Sequence, residues 1–93
     1  MAGKTLQVCR VEFVKGMGTE VLNQLLDDLL ADGVLNQGEK DSILEEHRSR
    51  ADRARVLFDS VRRKGNAPIE IMMERLQTRD PKLYSHLMPH NQR

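Results

Sequence analysis

The stretch Thr19-Glu20-Val21-Leu22-Asn23-Gln24-Leu25-Leu26-Asp27-Asp28-Leu29-Leu30-Ala31-Asp32-Gly33 decides how this chain folds. Val21, Leu22, Leu25, Leu26, Leu29 and Leu30 come in adjacent pairs four residues apart. That spacing makes one apolar face of a helix, and it is the strongest amphipathic signal in the sequence. Thr19 is a good N-cap residue, and Gly33 suits the left-handed position that ends a helix. The rest of the chain is read outward from this helix.

Toward the N-terminus, Leu6, Cys9, Phe13 and Met17 form the stripe of a helix over about Thr5 to Lys15, broken by Gly16 and Gly18. Toward the C-terminus, Asn36 followed by Glu39 has capping-box spacing and opens a third helix. Its apolar face is thin, Ile43 and Leu44 helped by Val34 and Leu35, so it is mostly solvated. Ser49 and Asp52 open a fourth in the same spacing, with Ala51, Ala54, Leu57, Phe58 and Val61 as its stripe and Gly65 as its stop. A fifth follows Asn66 and tolerates Pro68 in its first turn; its Ile69, Met72, Met73 and Leu76 repeat at three and four. Asp80 and Pro81 start a sixth, faced by Leu83, Tyr84, Leu87 and Met88 and closed by Pro89. No stretch alternates with period two, so the chain reads as all-α. The connections are short, which predicts a compact bundle of six antiparallel or sharply crossed helices. Residues 1–89 form one domain, and 90–93 are a tail or the start of a linker.

Composition agrees with a small soluble domain: 93 residues, 39% hydrophobic and 31% charged. Aromatics are 3%, namely Phe13, Phe58 and Tyr84, so an aliphatic core is expected. Cys9 is the lone cysteine, which excludes an internal disulfide. No apolar run approaches the roughly 20 residues of a membrane span. The start lacks a signal-peptide layout, and Ala2 stands where myristoylation needs glycine. A cytoplasmic location is the expectation.

The net charge of +1 hides a segregation. From Thr19 to Glu46 the acids are Glu20, Asp27, Asp28, Asp32, Glu39, Asp41, Glu45 and Glu46, with Lys40 as the sole base. From Arg48 to Lys64 the bases are Arg48, Arg50, Arg53, Arg55, Arg62, Arg63 and Lys64, opposed by Asp52 and Asp59. The first helix adds Arg10 and Lys15. Two patches of opposite sign on different faces would pair head to tail between copies, closing into rings or growing into helical filaments. Such charges steer and select partners more than they add affinity. Alternatively, they meet along a seam within one molecule, where an exposed pair contributes little.

The segment Gly18 to Leu30, with Val34-Leu35-Asn36, resembles the caspase recruitment domain (CARD) of the inflammatory caspases. So do Ala51-Asp52-Arg53-Ala54-Arg55-Val56-Leu57-Phe58-Asp59-Ser60-Val61 with Lys64-Gly65, the Met-Ala-x-Lys start and Arg10-x-x-Phe13. Beyond Gly65 the likeness lies in pattern more than in residues. The resemblance implies a death fold: six antiparallel helices, the first often bent or broken. It implies recruitment of other CARDs, in an adaptor, sensor or caspase, through asymmetric surfaces that grow into filaments in inflammasome or cell-death signalling. One contact of the family sets a basic surface on the first and fourth helices against an acidic one on the second and third. The matching bases are Arg10, Lys15, Arg53 and Arg55, and the matching acids Asp27, Asp28, Asp32 and Glu39. One departure is Val11, where close relatives are usually basic, followed by Glu12. The basic patch on the first helix is weaker for it.

Other chemistries find little support in the sequence. Cys9 lies on an apolar stripe, and no Gln-Ala-Cys-x-Gly signature is present. His47, His86 and His90 lack metal-ligand spacing, and the glycines sit at helix ends rather than in a phosphate loop. No cofactor, metal or catalytic residue is expected. A helix-turn-helix that binds nucleic acid is the rival of another class, given the arginine-rich fourth helix. The near-neutral charge and the crowd of acids before it oppose a dominant positive field. Membrane insertion of that helix would compete with its role in the core. The expected function is homotypic CARD–CARD recruitment, by the prodomain of an inflammatory caspase or by a CARD-only decoy that caps such assemblies.

Overall fold

The computed structural model describes residues 6–87. The expected helix start at Thr5, the closing Met88 and Pro89, the domain limit at 89 and the tail lie outside that range. Six helices are described: α1 (Leu6–Gly16), α2 (Thr19–Ala31), α3 (Gln37–Glu46), α4 (Arg50–Lys64), α5 (Asn66–Arg79) and α6 (Pro81–Leu87). α4 and α5 pack together at the centre. α1 lies on α4 and α6, α2 lies on α5, and α3 bridges α2 and α4.

Local chemistry sets most of the boundaries. Asn36 and Glu39 form a complete capping box: the Glu39 N–H donates to Asn36 Oδ1 at 2.8 Å, and the Asn36 N–H donates to Glu39 Oε1 at 2.9 Å. Each bond satisfies a backbone donor that the first helical turn leaves open. Ser49 Oγ accepts from the Asp52 N–H at 3.0 Å, and Asp80 Oδ1 accepts from the Leu83 N–H at 3.1 Å. At the end of α2 the Val34 N–H reaches Leu29 O at 2.9 Å and the Gly33 N–H reaches Leu30 O at 3.2 Å, with Gly33 at φ 80°. This is a Schellman stop.

Two caps differ from the sequence reading. Gly18, not Thr19, is the N-cap of α2, and no side chain caps it. α1 continues through Gly16 and leaves a turn too short for Thr19 to stand outside α2. A Cβ on Gly16 would sit 2.5 Å from Leu83 Cδ1, so the glycine lets α1 approach α6 closely. Asn66 is likewise inside α5, and Gly65 serves both as C-cap of α4 and N-cap of α5. Its φ of 117° and ψ of −175° lie in a region essentially reserved for glycine. One residue therefore turns the chain between the two central helices.

The core is aliphatic except at its middle. Leu22, Leu25, Leu26 and Leu29 of α2 and Leu57, Val61, Met72 and Leu76 of α4 and α5 are buried. Phe13 and Phe58 are the exception to the expected aliphatic core. Their rings stack tilted at 60° with centroids 5.2 Å apart, joining α1 to α4. Of α3, only Ile43 is buried, as its thin face requires.

Candidate interaction surfaces

The acids of α2 divide by helical position. Asp28 and Asp32 stand one turn apart, and so do Arg75 and Arg79 on α5. The two helices pair them as a ladder. Arg79 donates Nε and Nη2 to the two oxygens of Asp28, each at 2.8 Å. Arg75 donates to Asp32 at 2.8 and 2.6 Å. These two-bonded forks match the planar guanidinium to the planar carboxylate. Asp28 is the one charged residue in the described core, 8% exposed. The hydrogen bonds from Arg79 and Arg75 hold the Asp28 and Asp32 carboxyls below the usual carboxylate range.

Asp27 behaves differently. Its side chain is 67% exposed and touches Lys40 Nζ at 2.6 Å. Glu39 spends one oxygen in its capping box and the other on Lys64 at 2.8 Å. Lys64 first, and then the Asn36 N–H, hold its carboxyl low. Here a base of α4 does meet an acid of α3 within one molecule.

The basic residues are divided in the same way. Arg10 forks onto Asp59 of α4 at 2.8 and 3.0 Å and holds that carboxyl below its usual range. Arg53 is half-buried: its Nε donates to His47 O at 2.7 Å and its Nη2 to Leu44 O at 2.9 Å. Those carbonyls end α3 and have no helical partner, so Arg53 acts as a C-terminal cap with the charge sign the helix dipole favours. Arg50 does the same for α1, donating Nη1 to Val14 O and Met17 O, both at 2.7 Å. By contrast, Arg55 keeps its side chain 45% exposed, against the equally open Asp52 at 2.6 Å. Lys15 is exposed and joins none of the ion pairs among the described residues.

No intramolecular ion pair among the described residues joins one of the four expected bases to one of the four expected acids. The partners that sequence reasoning missed are Arg75 and Arg79. The signal was available: acids at 28 and 32 and arginines at 75 and 79 repeat the same one-turn interval.

The sequence and the architecture match one family. The model of the caspase recruitment domain matches residues 3–90. The chain belongs to the CARD family. It is 40% identical to caspase-1 of Equus caballus over 83 residues, 89% of this chain and 20% of that protein. It is 34% identical to caspase recruitment domain-containing protein 18 of Homo sapiens over 90 residues, 97% of this chain and 100% of that one. The solution structure of ICEBERG, described as an inhibitor of interleukin-1beta generation, superposes with a TM-score of 0.82 at 33% identity, covering 94% of this chain and 98% of that one. The chain thus spans about a fifth of the caspase-1 proteins it matches, at 20% of their length.

As a CARD, the chain is a death-fold interaction module of the kind found in caspase-1 and in CARD-only proteins. Cys9 is buried, with Sγ 3.8 Å from Leu87 O, as its place on the apolar stripe of α1 requires. Among the described residues no His, Cys, Asp or Glu cluster could hold a metal, and no helix is long and apolar enough to cross a membrane. His90 lies outside the described residues.

Proposed function

We propose that this CARD docks head to tail onto another CARD, its basic α1–α4 surface against the partner's acidic α2–α3 surface. The protein is a recruitment module without catalysis of its own and works in the cytoplasm, with a CARD-containing adaptor, sensor or caspase as partner. The observation that carries the reading is the outward pair. Asp27, 67% exposed, and Arg55, 45% exposed, lie on different helices, each held by a single ion pair, to Lys40 and to Asp52. Exchanging the one partner of such an open side chain for a neighbour's opposite charge costs little desolvation. Lys15 extends the basic side. Arg10, Arg53, Asp28, Asp32 and Glu39 complete the two surfaces, and each also serves its own fold, so they are expected to shape the contact more than to grip. Unlike faces pairing repeatedly build an open filament.

A charge exchange tests the pairing. Asp27→Arg and Arg55→Asp should each abolish self-association, and mixing the two variants should restore pairing in light scattering. Failure of the mixture to rescue would sink the pairing. Similarity to ICEBERG favours a second reading of the same docking, as a decoy that joins such assemblies and ends them. Sub-stoichiometric addition to a growing caspase-1 CARD filament separates the two: a decoy shortens filaments, whereas a recruiting prodomain is incorporated along them.

A further inference from the structure

The ion pairs of this bundle differ in how much of each group they use. Arg75–Asp32, Arg79–Asp28 and Arg10–Asp59 are forks that engage both carboxylate oxygens. Asp27–Lys40 and Asp52–Arg55 are single contacts. Lys40 Nζ meets Asp27 Oδ1, and Arg55 Nη1 meets Asp52 Oδ1, each at 2.6 Å. Among the described residues, that leaves Oδ2 of both aspartates and two nitrogens of Arg55 open. The charges beside them in sequence are engaged elsewhere: Asp28 with Arg79, Glu39 with Lys64, Asp41 with Gln37, and Arg53 with the carbonyls that end α3. Lys40 is also unexplained by α3 alone. It stands near the start of that helix, where the dipole favours acids, and is the sole base from Thr19 to Glu46.

We infer that the Asp52–Arg55 pair of one copy stacks antiparallel on the Asp27–Lys40 pair of a second copy, so that Arg55 meets Asp27 and Lys40 meets Asp52. The inference rests on the head-to-tail docking proposed above and adds the second half of its contact. Each pair is neutral. In a square of alternating signs every charge gains a second opposite neighbour without losing its first. No cation or carboxylate is left unpaired when water leaves the contact. Turned end for end, the same pairs would set Arg55 against Lys40 and Asp52 against Asp27. The quartet therefore fixes the orientation of one copy on the next, and specificity of this kind is what complementary charge supplies best.

One-faced chains isolate the contact. Asp27→Asn chains keep the Arg55 side and Arg55→Gln chains keep the Asp27 side, so a mixture pairs once and stops. Asp52→Asn in the first and Lys40→Gln in the second should each weaken that pairing in isothermal titration calorimetry. The two together should cost about two- to fivefold less than the product of the single effects, the coupling of one exposed ion pair. Both changes lie outside the core, and circular dichroism checks that the chains stay folded. Multiplicative effects, or tighter pairing on losing Lys40 or Asp52, overturn the quartet and leave the docking standing. No association of the one-faced chains overturns the docking and the quartet together.

Discussion

Asp27 and Asp28 are neighbours in sequence and opposites in the molecule. Asp28, with its side chain 11% exposed, is clasped by Arg79 and belongs to the α2–α5 seam. Asp27, at 67%, belongs to the open edge between α2 and α3. The step between them is about 100° around the helix, enough to carry a carboxylate from a packed seam to solvent. Arg53 and Arg55 repeat the contrast on α4, one closing the end of α3 and the other facing water. The difference teaches that a charge run in a small helical bundle is two populations. One holds helices together and the other stays open to solvent.

The sharpest way to break the comparison is to remove what both populations stand on. Leu29→Ala opens a cavity behind α2, where the side chain is fully buried. It should cost about 2–5 kcal/mol in urea unfolding and abolish assembly with it. Next in size, Asp28→Ala should cost about 1–2 kcal/mol, because a buried acceptor of charged hydrogen bonds is lost. Asn36→Ala should cost about 1 kcal/mol by removing the cap of α3, with far-ultraviolet circular dichroism retaining the other helices. Asp27→Asn should change stability by no more than about 0.5 kcal/mol and yet impair assembly. Equal stability losses for Asp27→Asn and Asp28→Ala would erase the distinction.

The seam also predicts a response to acid. Asp28, Asp32, Glu39 and Asp59 all carry folded carboxyls below their ordinary values because of hydrogen bonds from Arg79, Arg75, Lys64 and Arg10. Below the unfolded values of about 4, the unfolded chain binds protons that the folded chain refuses, so acid favours unfolding. The stabilisation is complete above that range and fades as pH falls through the folded values. Urea midpoints should therefore be flat from pH 7 to about 5 and then decline toward pH 2, and Asp28→Asn should make the decline shallower. Assembly at pH 7, in contrast, should weaken as salt rises, since exposed charges are screened within about 8–10 Å.

Much of this architecture was legible before any coordinates. The leucine pairs of α2, the Asn36–Glu39 box, Ser49 with Asp52, Asp80 before Pro81, and the stops at Gly33 and Gly65 are local statements. Each depends on residues within a turn or two of one another. The Thr19 and Asn66 caps differ by one residue, because Gly18 and Gly65 hold the N-cap positions with no side-chain hydrogen bond. Arg75 and Arg79 went unread as partners because their acids lie 43 and 51 residues away. The charge segregation itself was visible, and so was the CARD likeness of its central motifs.

By itself, then, the sequence determined six amphipathic helices, most of their ends and the sign of the charge each carries, because periodicity and capping act over a few residues. The tertiary structure alone decided which charges are spent and which are offered. That choice depends on which helix lies opposite: α5 brings arginines to Asp28 and Asp32, while α3 brings Asp27 one lysine and leaves its carboxylate 67% exposed. Contacts between distant parts of a chain are fixed by the packing of buried leucines, and the fate of each surface charge follows from that packing.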